Sequence, residues 1–125
     1  MKIYISGSIS GRPEEEVIAR FSEAKQVIEQ CGHTAISPLN NGLPTDAPWR
    51  EHMKADINML FDCDAILMLF EWKRSKGARI EHNIATELGL TVFYSFAGVR
   101  HISSRNVPTT KLHSHEEADN ADLND

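Results

Sequence analysis

Ala65-Ile-Leu-Met-Leu-Phe-Glu-Trp-Lys-Arg-Ser-Lys-Gly-Ala-Arg-Ile-Glu81 is the stretch on which the fold turns. Its first six residues are an uninterrupted apolar run, as expected of a strand covered on both faces in a parallel sheet. From about Ala78 to Leu88 the pattern becomes helical and is closed by Gly89. Ser75 and Gly77 therefore sit at a strand-to-helix turn. Backbone N–H groups at such a turn point at whatever lies above the helix N-terminus, a favourable place for phosphate. Arg74, Lys76 and Arg79 add positive charge beside it. Glu81 falls in the first turn of the helix, where a carboxylate is either a partner of the helix dipole or a catalytic group aimed at something attached to the anion.

Outward from this segment, strands and helices alternate. Lys2-Ile-Tyr-Ile-Ser6 is a β-branched and aromatic run that predicts a central first strand. The glycine-bounded turn Gly7-Ser-Ile-Ser-Gly11 follows, and Pro13 with Glu14, Glu15 and Glu16 suits the start of a helix. Val17, Phe21, Ala24, Ile28 and Cys31 recur at helical spacing before Gly32. His33-Thr-Ala-Ile36 is a short second strand. After a loop from Asn40 to Pro44, Asp46 is the expected cap of a second helix striped by Trp49, Met53, Ile57 and Leu60. Leu90-Thr-Val-Phe-Tyr-Ser-Phe96 reads as a fourth strand. The expectation is an α/β fold: a three-layer, doubly wound sheet of four to five mainly parallel strands, Rossmann- or flavodoxin-like. Ligands in such sheets sit outside the carboxyl ends of the strands, so Gly7–Gly11, Ser37–Asn41 and Glu71–Gly77 should meet in one crevice.

The chain of 125 residues has room for one domain, and 41% apolar content supplies a core. Of its 18 acids, five lie in Glu116–Asp125 with no base among them, while 13 acids and 13 bases balance in residues 1–115. We therefore expect a domain over 1–111 and an acidic, disordered tail over 112–125. A body without net positive charge is a poor nucleic-acid surface. No apolar run is long enough to span a membrane and no signal segment precedes the first strand, which points to the cytoplasm. Cys31 and Cys63 read as reduced structural thiols, and the six histidines show no ligand spacing, so no metal is expected.

Asp56 lies at the edge of the second helix's apolar stripe, facing the crevice or, on the plainer reading, solvent. Asp62 and Asp64 suit a helix end and a strand start. Trp49 is better placed than Trp72 to stack on a base, although core packing is the commoner fate of tryptophan. Gly7-Ser-Ile-Ser-Gly11 lacks the three-glycine dinucleotide fingerprint and gains weight only beside the second Ser/Gly turn. Two carboxylates flanking an anomeric carbon are the minimum apparatus for glycosidic cleavage, and Glu81 with Asp56 would supply the pair.

The ordered set Ile3-Tyr-Ile-Ser-Gly-Ser-Ile9, Asp56-Ile-Asn-Met-Leu-Phe-Asp-Cys-Asp-Ala65 and Ser75-Lys-Gly-Ala-Arg-Ile-Glu81 resembles the nucleoside 2-deoxyribosyltransferase-like superfamily. Within it, the likeness is to the 2′-deoxynucleoside 5′-phosphate N-hydrolases and to small proteins of the DUF4406 group, and it runs from residue 1 to about 96. The resemblance implies that Glu81 is the nucleophile that attacks C1′ and that Asp56 assists departure of the base. By the same resemblance Ser75 and Gly77 hold a 5′-phosphate and Gly7, Ser8 and Ile9 line the site. It further implies a homodimer in which a serine of the neighbouring subunit, matched here by Ser103 or Ser104, reaches the phosphate. The chain departs from the pattern at Arg79, which stands near the sugar where a small residue is usual, and at Glu81-His-Asn83. The function expected is N-glycosidic cleavage or base transfer on a nucleotide or deoxynucleoside 5′-monophosphate, without a cofactor. The alternative is a non-catalytic nucleotide-binding or interaction module on the same fold.

Overall fold

The computed structural model describes residues 1–105. The expected domain limit at 111 and the acidic tail lie outside the described residues. The order of elements is β1 (Lys2–Ser6), α1 (Glu14–Gln30), β2 (Thr34–Ile36), α2 (Trp49–Phe61), β3 (Ala65–Met68), α3 (Lys76–Leu88), β4 (Thr91–Phe93) and α4 (Phe96–Arg105). The four strands form one sheet in the order β2-β1-β3-β4. Every pairing is parallel, with Ile3 opposite both Ala35 and Ala65, and Leu67 opposite Phe93. The order reverses between β1 and β3, and this reversal opens a crevice at their carboxyl ends.

Helices cover both faces of the sheet. Ile3 and Ile5 of β1 pack with Val17, Phe21 and Ile28 of α1 and with Val99 of α4. Tyr4 lies on the opposite face with Leu60 of α2 and Ala78 and Ala85 of α3. The alternation follows from the two-residue period of a strand. All four residues of β3 are buried, in keeping with its unbroken apolar sequence.

Two glycines stop helices as expected. Gly32 and Gly89 adopt positive φ, and at Gly32 the next N–H, of His33, returns to the carbonyl of Ile28. That pair of turns closes the free carbonyls of α1 in a Schellman motif.

The helix starts and the end of the fold differ from expectation. α2 is preceded by Pro48 rather than capped by Asp46. The carbonyl of Pro48 accepts from the N–H groups of Glu51 and His52, so Asp46 lies two residues too early to reach the first turn. α3 begins at Lys76, ahead of the apolar period, because the Ser75 hydroxyl accepts from the N–H of Ala78 and caps it. The fourth strand ends at Phe93, and the chain turns into α4 instead of continuing to Phe96 or supplying a fifth strand. Ser95, buried, accepts from the N–H of Gly98, while Phe96, Val99 and Ile102 turn one face toward the α1 core. Among the described residues no helix is long and apolar enough to cross a membrane.

Candidate active site

A cavity of about 480 Å³ opens at the carboxyl ends of β1 and β3, with both Asp56 and Glu81 in its wall. Gly7, Ile9, Trp49, Ser75 and Gly77 line it as well. The three loop motifs of the sequence thus meet in one place.

Glu81, in the second turn of α3, points down onto the sheet and is only 4% exposed. Its Oε1 accepts from the Ser6 hydroxyl at 2.6 Å and its Oε2 from the Tyr4 hydroxyl at 2.8 Å. Tyr4 and Ser6 are two residues apart on β1 and so share a face. Sequence reasoning passed over both, although a tyrosine and a serine alternating with Ile3 and Ile5 is a polar stripe in a buried strand. Burial pushes the Glu81 carboxyl up to about 7; the two hydroxyl bonds oppose that shift and the Asp56 charge adds to it. The same burial, with Glu81 beside it, holds the Tyr4 phenol well above its ordinary range.

Asp56 is 5% exposed, which excludes the solvated reading. Its Oδ1 accepts from the amide nitrogen of Asn41 at 2.8 Å. Burial raises its pKa, while the Asn41 bond and nearby His52 pull it back. The cavity thus holds two carboxyls that both retain protons to higher pH than an exposed acid, one braced by hydroxyls and the other by an amide. Asn41 and His52 are further wall residues absent from the sequence reading. His52 was legible as the residue one turn before Asp56 on the same helix face; Asn41, in a loop, carried no periodic signal.

The glycines act through packing as well as access. A Cβ on Gly7 would lie 3.0 Å from Leu69, just after β3, and one on Gly77 would lie 3.1 Å from the Met53 sulfur. Gly77 thus lets α3 approach α2, and a larger residue there would meet Met53 as well as obstruct a ligand. The N–H groups of Lys76 and Gly77 open α3 and have no partner inside the helix. Lys76 places its ammonium 5.0 Å from the centroid of the Trp49 ring, which stands 41% exposed at the cavity rim. Trp72, in contrast, is buried against His82 and Tyr94 and does not line the cavity.

Two expected residues lie elsewhere. Arg79 is exposed, donates to the carbonyl of Lys73 at 2.8 Å and is absent from the cavity wall. Residues two apart on a helix face opposite ways, so with Glu81 turned inward Arg79 must turn outward. Ser8 is also outside the wall, which Gly7, Ile9 and Ser10 form instead. Ser103 donates to the carbonyl of Val99 and contacts His33 Nε2 at 2.9 Å, at the amino end of the sheet and away from its own chain's cavity. The side chain of Ser104 lies outside the described residues. Arg12, another wall residue not foreseen, is held by Glu71 at 2.8 Å and Glu16 at 3.1 Å. That bond lowers the Glu71 carboxyl below its ordinary range and ties the loop after β1 to the one after β3. Among the described residues no three His, Cys, Asp or Glu side chains converge as a metal site.

The comparisons with known proteins agree with this architecture. The 2-deoxyribosyltransferase of the psychrotolerant bacterium Bacillus psychrosaccharolyticus superposes with a TM-score of 0.62 at 22% identity, over 95% of this chain and 81% of that one. The 2-deoxyribosyltransferase of Leishmania mexicana gives 0.59 at 22% identity, over 75% of this chain and 63% of that one. At such identity the likeness is one of fold. A search of the curated proteins by sequence finds no match. Residues 1–94 match the family model described as a domain of unknown function, DUF4406. On that match the chain belongs to the DUF4406 family.

Proposed function

We propose that this cavity cleaves or transfers the N-glycosidic bond of a nucleotide, with a deoxynucleoside 5′-monophosphate as the substrate class. The observation that carries the reading is the convergence of Glu81 and Asp56 in one cavity with both carboxyls raised from their ordinary range. The 2-deoxyribosyltransferase names of the solved structures with this fold lean the same way.

In this reading the ionised Glu81 attacks C1′ of the sugar. The bond from C1′ to the base nitrogen breaks, its electron pair leaves with the base, and protonated Asp56 supplies the proton the base needs. A glycosyl ester on Glu81 remains. Water, giving a proton to the Asp56 carboxylate, or a second base, through its nitrogen, then attacks C1′; the ester bond breaks, its electron pair returns to the Glu81 carboxylate, and the sugar phosphate or the exchanged nucleotide leaves. Tyr4 and Ser6 hold the Glu81 oxygens in place and stabilise the carboxylate both before attack and after release. The 5′-phosphate would lie over the first N–H groups of α3, with the Ser75 hydroxyl and Lys76 beside it. Trp49 at the rim offers a face for the base. A second copy of the chain completing the site, as the resemblance implies, belongs to the same proposal.

The test is release of free base from a panel of nucleosides, 5′-monophosphates and a nicotinamide dinucleotide. Wild-type protein should release base, and monophosphates should bind roughly 30- to 1,000-fold better than the matching nucleosides. Glu81→Gln should keep binding and lose activity by several orders of magnitude, because an amide cannot form the ester. Binding without release by the wild type would instead support the non-catalytic module. Equal affinity for nucleoside and monophosphate would remove the phosphate from the proposal.

A further inference from the structure

Asn41 has an orientation that can be deduced rather than assumed. The backbone N–H of Leu43 approaches the amide oxygen of Asn41 at 3.0 Å, and an N–H can only donate. The atom facing Leu43 is therefore the carbonyl oxygen, and the amide nitrogen faces the other way. That nitrogen lies 2.8 Å from Asp56 Oδ1 and 3.0 Å from His52 Nδ1. Each of its two hydrogens thus has an acceptor, which makes His52 Nδ1 a lone-pair site and puts the ring proton on Nε2. Nε2 has no hydrogen-bond partner among the described residues, and His52 lines the cavity. Asp56 Oδ2 is likewise left free while Oδ1 is occupied.

We infer that His52 Nε2–H and the Asp56 carboxyl form a pair of adjacent donors that selects bases presenting two adjacent acceptors. The two residues are one helical turn apart on the same face of α2, and Asn41 fixes both from behind. In the proposed reaction Asp56 carries the proton for the leaving base, and it donates through Oδ2 to the acceptor whose protonation loosens the glycosidic bond. His52 donates to its neighbour. The N7 and O6 atoms of hypoxanthine or guanine meet that demand, as do O2 and N3 of cytosine. Adenine offers an amino group beside N7, and thymine an N–H beside O2, so each would set donor against donor. The inference rests on the reading that a base occupies the cavity beside Asp56, but it concerns which base and not whether the bond is cut.

The experiment measures binding rather than turnover, so that the two readings fail separately. Dissociation constants are determined by titration calorimetry for 2′-deoxyinosine against 2′-deoxyadenosine 5′-monophosphate, and for the deoxycytidine against the thymidine nucleotide. Wild-type protein should favour the first member of each pair by about tenfold or more, the usual effect of leaving a buried donor unpaired. His52→Phe, which keeps a flat ring without an N–H, should bring both ratios close to one. Asn41→Ala should reduce them by less, because His52 keeps its donor and loses only the group that fixes its tautomer. Ratios near one in the wild type, or ratios unchanged in His52→Phe, overturn the inference whether or not base is released. Preference in binding without any base release would sustain it while the glycosidase reading fell, and no binding of any of the four nucleotides would overturn both.

Discussion

The two faces of the sheet are built from the same strands and do different work. On the side of α1 and α4, β1 contributes Ile3 and Ile5 to an apolar cluster with Val17, Phe21, Ile28 and Val99. On the side of α3, the same strand contributes Tyr4 and Ser6, whose hydroxyls both end on Glu81. One face is dry packing, worth stability in proportion to the area it removes from water. The other accepts a buried carboxyl whose burial costs stability and raises its pKa. Adjacent residues one peptide apart thus divide folding from chemistry, and a substitution should betray which side it struck.

The sharpest way to test that division is Asp56→Asn. It should slow release of natural, poorly leaving bases by about a hundred- to ten-thousand-fold, since general acid assistance is worth that much. With an activated leaving group the loss should be small. Rates measured side by side on the two substrate types decide it: an equal loss on both would make Asp56 a positioning group.

On the opposite face the expected effect is on folding. Ile5 is fully buried, and Ile5→Ala should cost about 2–5 kcal/mol by urea denaturation while the affinity of the folded fraction for nucleotide stays as it was. Loss of affinity without loss of stability would show that the two faces are coupled.

The third effect concerns pH. The Glu81 carboxyl has an ordinary value of 4.5 when exposed and about 7 in the fold. Folding therefore takes up a proton between those values, so this group's burden is absent below pH 4.5 and grows as pH rises through 7. At full ionisation it amounts to about 3 kcal/mol. Glu81→Gln should melt several degrees above the wild type at pH 8 and converge with it toward pH 5. A variant that melts lower at both pH values would mean that Glu81 holds the fold together more than it strains it.

Much of this was readable from residues 65–81 and the strands around them, because hydrophobic period and glycine stops are local signals. Parallel order and the meeting of three loops at one end follow from βαβ rules, and the loops after β1 and β3 meet there. The misses share a cause. Arg79 was read as positive charge beside the Ser75–Gly77 turn, whereas the helix turns it to the side opposite Glu81 and out of the cavity wall. Phe93-Tyr-Ser-Phe96 has the composition of a strand, and only the cap made by Ser95 with Gly98 turns it into the start of α4. Tyr4 and Ser6 showed their common face in the sequence, but nothing local revealed that a carboxyl would descend on it from α3. Asn41 acts through Leu43, His52 and Asp56, a set assembled only by the folded loop.

The sheet's outer strands carry one more consequence. Among the described residues β2 and β4 form its two edges, and each pairs over only three residues, Thr34–Ile36 and Thr91–Phe93. An open edge is a template on which another chain can hydrogen-bond, and its hazard grows with its length. Here the template ends before it can seat more than a fragment of a foreign strand. The continuously apolar strand that would nucleate a fibril, β3, is held in the interior between β1 and β4. The topology that opens a crevice for a ligand thus also keeps the most aggregation-prone segment of the chain out of reach of its neighbours.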